Sequence, residues 1–99
     1  MSANEIFKII RQNKTKLSQF GVRKIGLFGS QSRGDATAES DLDFLVEFVQ
    51  GQKNYDNYIE LCFFLEVLFN KKVDLLTAES LSPYLKDEIL REVQYESIH

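Results

Sequence analysis

Lys24-Ile25-Gly26-Leu27-Phe28-Gly29-Ser30-Gln31-Ser32-Arg33-Gly34-Asp35-Ala36-Thr37-Ala38-Glu39-Ser40-Asp41-Leu42-Asp43-Phe44-Leu45-Val46-Glu47-Phe48 reads as two strands joined by a polar turn. Lys24 to Phe28 is a short buried strand, and the small pair Gly29-Ser30 breaks it. Asp41 to Phe48 is a second strand, with Leu42, Phe44 and Val46 toward the core and Asp41 and Asp43 on the opposite face. At a rise of roughly 3.3 Å per residue the two aspartates project from the same side with stems about 6.5 Å apart, so their oxygens can converge on one cation. Without a cation, two carboxylates about 6 Å apart repel by roughly 3 kcal/mol at an effective dielectric of 20.

Outward from this pair of strands the pattern alternates with helices. Ser2-Ala3-Asn4-Glu5 has the form of a capping box, and Ile6, Ile10 and Leu17 follow at near-helical spacing, which predicts one helix ending near Phe20-Gly21. The polar residues after Gly29-Ser30 predict a turn with a short helix. Gly51 to Asn57 is a polar connection, and Tyr58 to Phe69 is a helix that is apolar nearly all round, interrupted by Glu60 and Glu66. Lys71 to Leu76 reads as a third strand. Ser82-Pro83 is a cap and first-turn pair for a final helix through about Tyr95, with Leu85, Ile89 and Val93 on its buried face. The expectation is a single α+β domain over residues 1–99, a mixed β-sheet packed against helices in the order αβαβα.

Composition restricts the function classes. Ninety-nine residues make one domain with no room for a second, substrate-binding one. At 43% hydrophobic and 27% charged the chain is that of an ordinary globular protein, and disorder is not expected. A formal charge of -3 with mixed signs along the chain argues against an extended nucleic-acid surface. Neither a signal peptide nor a membrane-length apolar run is visible, and Cys62 has no second cysteine to pair with, so a cytoplasmic protein is expected. A homo-oligomer is compatible with all of this.

Gly29 lets a backbone approach a ligand, and Ser30 can cap a following helix and offer its hydroxyl to phosphate oxygens. Alone, such a pair is usually just a turn. The two aspartates downstream change the reading, because hard oxygen ligands suit Mg²⁺, which keeps waters and is completed by substrate phosphates. The loop is not a Walker loop, since no lysine stands where that motif requires one. Arg33, four residues after Gly29, is placed to support a phosphate contact, the alternative being a solvated arginine. Asp35 and Glu39 read as surface acids, Cys62 as a small buried hydrophobe, and the tyrosines as packing groups. The single histidine, His99, gives no support to a histidine-based mechanism.

Gly-Ser, ten intervening residues and Asp-x-Asp resembles the signature of the DNA polymerase β-like nucleotidyltransferase superfamily, and the short chain looks like its minimal nucleotidyltransferase branch. At residue frequencies of roughly 5 to 7 per cent, four fixed positions match by chance on the order of once in 100,000 windows. The resemblance covers most of the chain, from the strand before Gly29 to Asp74 and the following helix. It implies that Gly29 and Ser30 contact nucleotide phosphates, with Arg33 in support, and that Asp41, Asp43 and a third carboxylate bind two Mg²⁺ ions. Asp74, inside the short apolar strand, is the candidate for the third; the alternative is a salt bridge to Lys71 or Lys72.

Members of this superfamily move a nucleoside monophosphate from a triphosphate to a hydroxyl and release pyrophosphate. Minimal nucleotidyltransferases are commonly encoded beside a HEPN-domain ribonuclease toxin and neutralise it. The resemblance therefore implies the antitoxin of a type VII-like HEPN/MNT pair, a Mg²⁺-dependent protein adenylyltransferase that uses ATP and modifies a toxin hydroxyl, tyrosine being the expected acceptor. The competing expectation is a non-catalytic module that neutralises a partner toxin by forming a complex with it. Removal of Asp41 or Asp43 separates the two.

Overall fold

In the computed structural model, residues 1–29, 34, 37 and 40–98 are described. The short helix expected between Gly29 and Asp41, with Ser30 and Arg33 in it, falls largely outside them, as does His99. Ser2 begins helix α1 (Ala3–Gln12) by accepting from the Glu5 N–H at 3.2 Å, as the capping box predicts. The expected single N-terminal helix is two. Asn13 donates its side-chain amide to the Ile9 carbonyl at 2.8 Å and leaves helical geometry (φ -116°), so the chain restarts as α2 (Lys14–Gln19). An asparagine that bonds the backbone one turn back competes with the helix in this way.

Strand β1 (Val22–Phe28) is followed by β2 (Leu42–Phe48), helix α3 (Tyr55–Phe69) and strand β3 (Val73–Thr77). A 3-10 turn (Ala78–Ser80), helix α4 (Pro83–Glu92) and strand β4 (Gln94–Ser97) complete the chain. Asn54 caps α3 through the Asn57 N–H at 2.9 Å, and Ser82 with Pro83 starts α4 as expected. The four strands form one mixed sheet in the order β3-β2-β1-β4, with β1 antiparallel to both β2 and β4 and β2 parallel to β3.

One face of the sheet carries the core. Leu42, Phe44 and Val46 of β2 are buried, as predicted, against Ile6, Ile10 and Leu17 of the first two helices and Leu61 and Leu65 of α3. The Phe44 and Phe69 rings, 5.7 Å apart, tie the sheet to α3. That helix needed cover on more than one side, and receives it only in part: Phe63 and Val67 stay 63% and 83% exposed.

The C-terminal segment differs from expectation. No residue of α4 is buried, Leu85 is 52% exposed, and Val93 lies in extended geometry beyond the helix. The apolar spacing of Leu85, Ile89 and Val93 is broken because Gln94 to Ser97 leave as an edge strand on β1. Tyr95 stands opposite Gly26 there, and the Lys24 ammonium sits 4.2 Å from its ring. Glu96 joins Arg11 at 3.0 Å and Lys14 at 3.4 Å, fastening the strand to α1 and α2.

Candidate active site

Three strands bring one row of residues together. β1 ends where β2 and β3 begin, and in the sheet register Phe28 faces Asp43, which in turn faces Asp74. Side chains of registered neighbours share a face, so these three project from the side opposite the core. The two carboxylates are thus adjacent on strands about 4.8 Å apart. Asp43 is half-buried and Asp74 exposed.

The turn after β1 closes against the same row. Gly29 has φ +74°, and a β-carbon built on it would lie 2.2 Å from Asp43 Oδ2. The carboxylate therefore lies directly over the glycine, in space that any other residue would fill.

Asp41 stands one residue ahead of β2 and is half-buried. Its approach is anchored on both sides: the Thr37 N–H donates to Ser40 Oγ at 2.9 Å, and the Lys71 ammonium donates to the Ser40 carbonyl at 3.3 Å. The neighbouring Leu42 N–H donates to the Lys72 carbonyl at 3.0 Å. Lys71, one proposed salt-bridge partner of Asp74, thus reaches the β2 approach, and among the described residues Asp74 forms no ion pair.

The structure brings Asp43 and Asp74 together beside Gly29 and leaves Asp41 at the strand entrance. Among the described residues no three acidic, histidine or cysteine side chains form a ready metal-binding group. The expected positions Ser30 and Arg33 lie outside the described residues.

A cavity of about 480 Å³ opens at this row, lined by Phe28, Asp43 and Asp74 and, from α3, by Tyr58 and Cys62. Burial pushes the Cys62 thiol above its ordinary range, and the charges of Glu66 and then Asp74 push it further. A protonated thiol is a poor nucleophile; Cys62, expected to be a small buried hydrophobe, is only half-buried because it lines this cavity. Burial likewise raises the Tyr58 hydroxyl, with Cys62 and Asp74 adding to it, and that hydroxyl donates to the Leu75 carbonyl.

Tyr58 was expected to be a packing group alone, and Glu66 only an interruption in an apolar helix. Both reach β3: Glu66 Oε2 accepts from the Val73 N–H at 3.1 Å. The signal in the sequence was their spacing alone, since Tyr58, Cys62 and Glu66 recur every four residues and so share one face of α3.

The nucleotidyltransferase domain model matches residues 6–95, nearly the whole chain. The chain belongs to the nucleotidyltransferase-domain family. The protein adenylyltransferase MntA of Thermococcus cleftensis is 41% identical over 96 residues, which is 96% of each chain. A solved structure provisionally named a minimal nucleotidyltransferase superposes with a TM-score of 0.80 at 30% identity, over 95% of both chains. A second, a toxin-antitoxin crystal structure with AMP-PNP, gives 0.64 at 26% identity, over all of this chain and 73% of that one. The α+β fold implied by the Gly-Ser and Asp-x-Asp spacing is that of this nucleotidyltransferase family.

Proposed function

We propose that this nucleotidyltransferase is a protein adenylyltransferase that acts as an antitoxin, moving AMP from ATP to a tyrosine hydroxyl of a HEPN-domain toxin and releasing pyrophosphate. The observation that carries the reading is the registered pair Asp43 and Asp74 beside the Gly29 turn. The name of the Thermococcus relative and the AMP-PNP bound in the toxin-antitoxin neighbour support the substrate and the partner class.

The donor set fits Mg²⁺. Two adjacent carboxylates repel one another, and an ion that keeps its own waters and takes the rest of its shell from phosphates needs no larger protein cage. Asp43 and Asp74 would hold it with Asp41, and bound there it would neutralise charge on the triphosphate and on the leaving pyrophosphate.

The chain's own groups do the remainder. Gly29 lets the triphosphate approach the backbone at the end of β1, and Ser30 and Arg33 are assigned to its outer phosphates. Asp74, exposed on the edge strand, is the group assigned to take the proton of the attacking hydroxyl. The acceptor oxygen bonds to the α-phosphorus as the bond to the β-phosphate oxygen breaks.

Intact mass measurement of the co-encoded partner, after incubation with ATP and Mg²⁺, tests the proposal. AMP additions with the wild type and none with an Asp41→Ala, Asp43→Ala double variant are expected. A stable complex without added mass in either case would replace it with inhibition by binding.

A further inference from the structure

β3 is an edge strand, so half of its backbone groups have no neighbouring strand. The Leu42 N–H bonds the Lys72 carbonyl, and alternate residues of a parallel strand turn to the same side, so residues 72, 74 and 76 face β2. Val73, Leu75 and Thr77 therefore direct their backbone groups outward. Side chains take them up: the Val73 N–H donates to Glu66, the Leu75 carbonyl accepts from Tyr58, and the Thr77 N–H donates to Ser80 Oγ at 3.2 Å.

Tyr58 and Glu66 thus hold the backbone immediately after and immediately before Asp74. We propose that they are positioning residues, a clamp from α3 that fixes where the Asp74 carboxylate stands relative to Asp43. The proposal deepens the catalytic reading above and rests on it for its functional consequence. Like charge on Asp43 and Asp74 pushes the start of an edge strand away from the sheet, and only one side of β3 is strand-paired. The clamp opposes that displacement from the other side. Its own base is rigid, because Leu61, Leu65 and Phe69 on the same helix are buried in the core. Core packing of α3 in this way sets the location of an exposed acid.

Tyr58→Phe removes one hydrogen bond and keeps the ring, Glu66→Ala removes the other, and Glu66→Gln keeps an oxygen that accepts from Val73. Amide exchange of the metal-free protein, Mn²⁺ titration and the kinetics of AMP transfer are compared across the three. In Tyr58→Phe and in Glu66→Ala, exchange at Asp74 and Leu76 is expected to accelerate about five- to tenfold while β1 stays protected, matching the loss of one hydrogen bond. Mn²⁺ binding weakens, and kcat falls with little change in KM for ATP; Glu66→Gln behaves close to the wild type. Unchanged exchange at β3 in both variants, or an equal acceleration across the whole sheet, overturns the clamp. A wild type that transfers no AMP defeats the enzymatic reading instead, and amide exchange then still decides the clamp on its own.

Discussion

The carboxylate of Asp43 occupies the place where a side chain at Gly29 would begin, with Oδ2 2.2 Å from that position. Gly29→Ala therefore has two effects. The left-handed backbone, at φ +74°, costs an L-residue roughly 1–2 kcal/mol, and the new methyl drives Asp43 aside. Displacement of a reacting group by about 1 Å lowers rates by roughly 10²-fold, so AMP transfer should drop by that order with only modest loss of stability. Gly51→Ala is the control, because Gly51 has φ +84° and nothing within 4 Å of its added carbon. It should show the strain in a melting experiment and retain transfer.

Adjacent like charges at Asp43 and Asp74 make the site a cost to the fold. Asp74→Asn should lower transfer by about 10²-fold or more, yet leave stability unchanged or higher by up to roughly 1 kcal/mol, since Asp74 is exposed and solvent screens its repulsion with half-buried Asp43. Thermal melting with and without Mg²⁺ checks both parts. The wild type should gain stability as Mg²⁺ rises, by mass action, and the variant should gain much less. An equal gain in both would show that the ion binds elsewhere.

Much of this was readable before the fold was seen. Strands β1, β2 and β3 and the core of α3 followed from apolar runs bounded by Gly29 and by the polar connection; Asp43 followed from its alternation with Asp41 ahead of such a run, and Asp74 from the family resemblance, which implies a third carboxylate on a neighbouring strand. β4 was not, because Gln94-Tyr95-Glu96-Ser97 is four residues long, sits at an edge and is half polar, while Leu85, Ile89 and Val93 continue a helical period straight into it. The contacts of Tyr58 and Glu66 with β3 were also missed. Each joins a helix to a strand edge: the four-residue spacing puts Tyr58 and Glu66 on one helix face, but which strand that face meets depends on how α3 docks. Asn13 broke the first helix by a side-chain bond to Ile9 that competes with a pattern otherwise continuous.

The pairing of Gly26 with Tyr95 gives β4 its seat. A β-carbon at Gly26 would lie 2.4 Å from Val93 Cγ2 and 2.8 Å from Tyr95 Cδ1, so Gly26→Ala forces the C-terminal strand away from β1. Overpacking of this kind costs about 1–3 kcal/mol, and each kcal/mol lowers the melting point of a domain this size by roughly 4–8 °C. Amides of Gln94 to Ser97 should lose protection first. A melting point equal to the wild type's would mean that β4 adds little to the fold.

Cys62 offers a pH readout of the same cavity. Burial, then Glu66, then Asp74 raise its thiol above the ordinary range, so a small alkylating reagent should modify it more slowly at neutral pH than a free thiol, with the rate rising only at higher pH. Asp74→Asn removes one of the three causes and should move that rise toward lower pH. The same shift fixes the direction of the stability change. At neutral pH both folded and unfolded chains hold the proton and the contribution is fully present; above about 8.5 the unfolded chain ionises first, and stability falls as the pH climbs through the folded-state value. Tyr58, raised for related reasons, extends the loss to higher pH, past the ordinary tyrosine value of about 10. Denaturant midpoints measured from pH 7 to 10 should therefore decline more steeply in the wild type than in Cys62→Ala, and parallel curves would place the thiol in ordinary solvent.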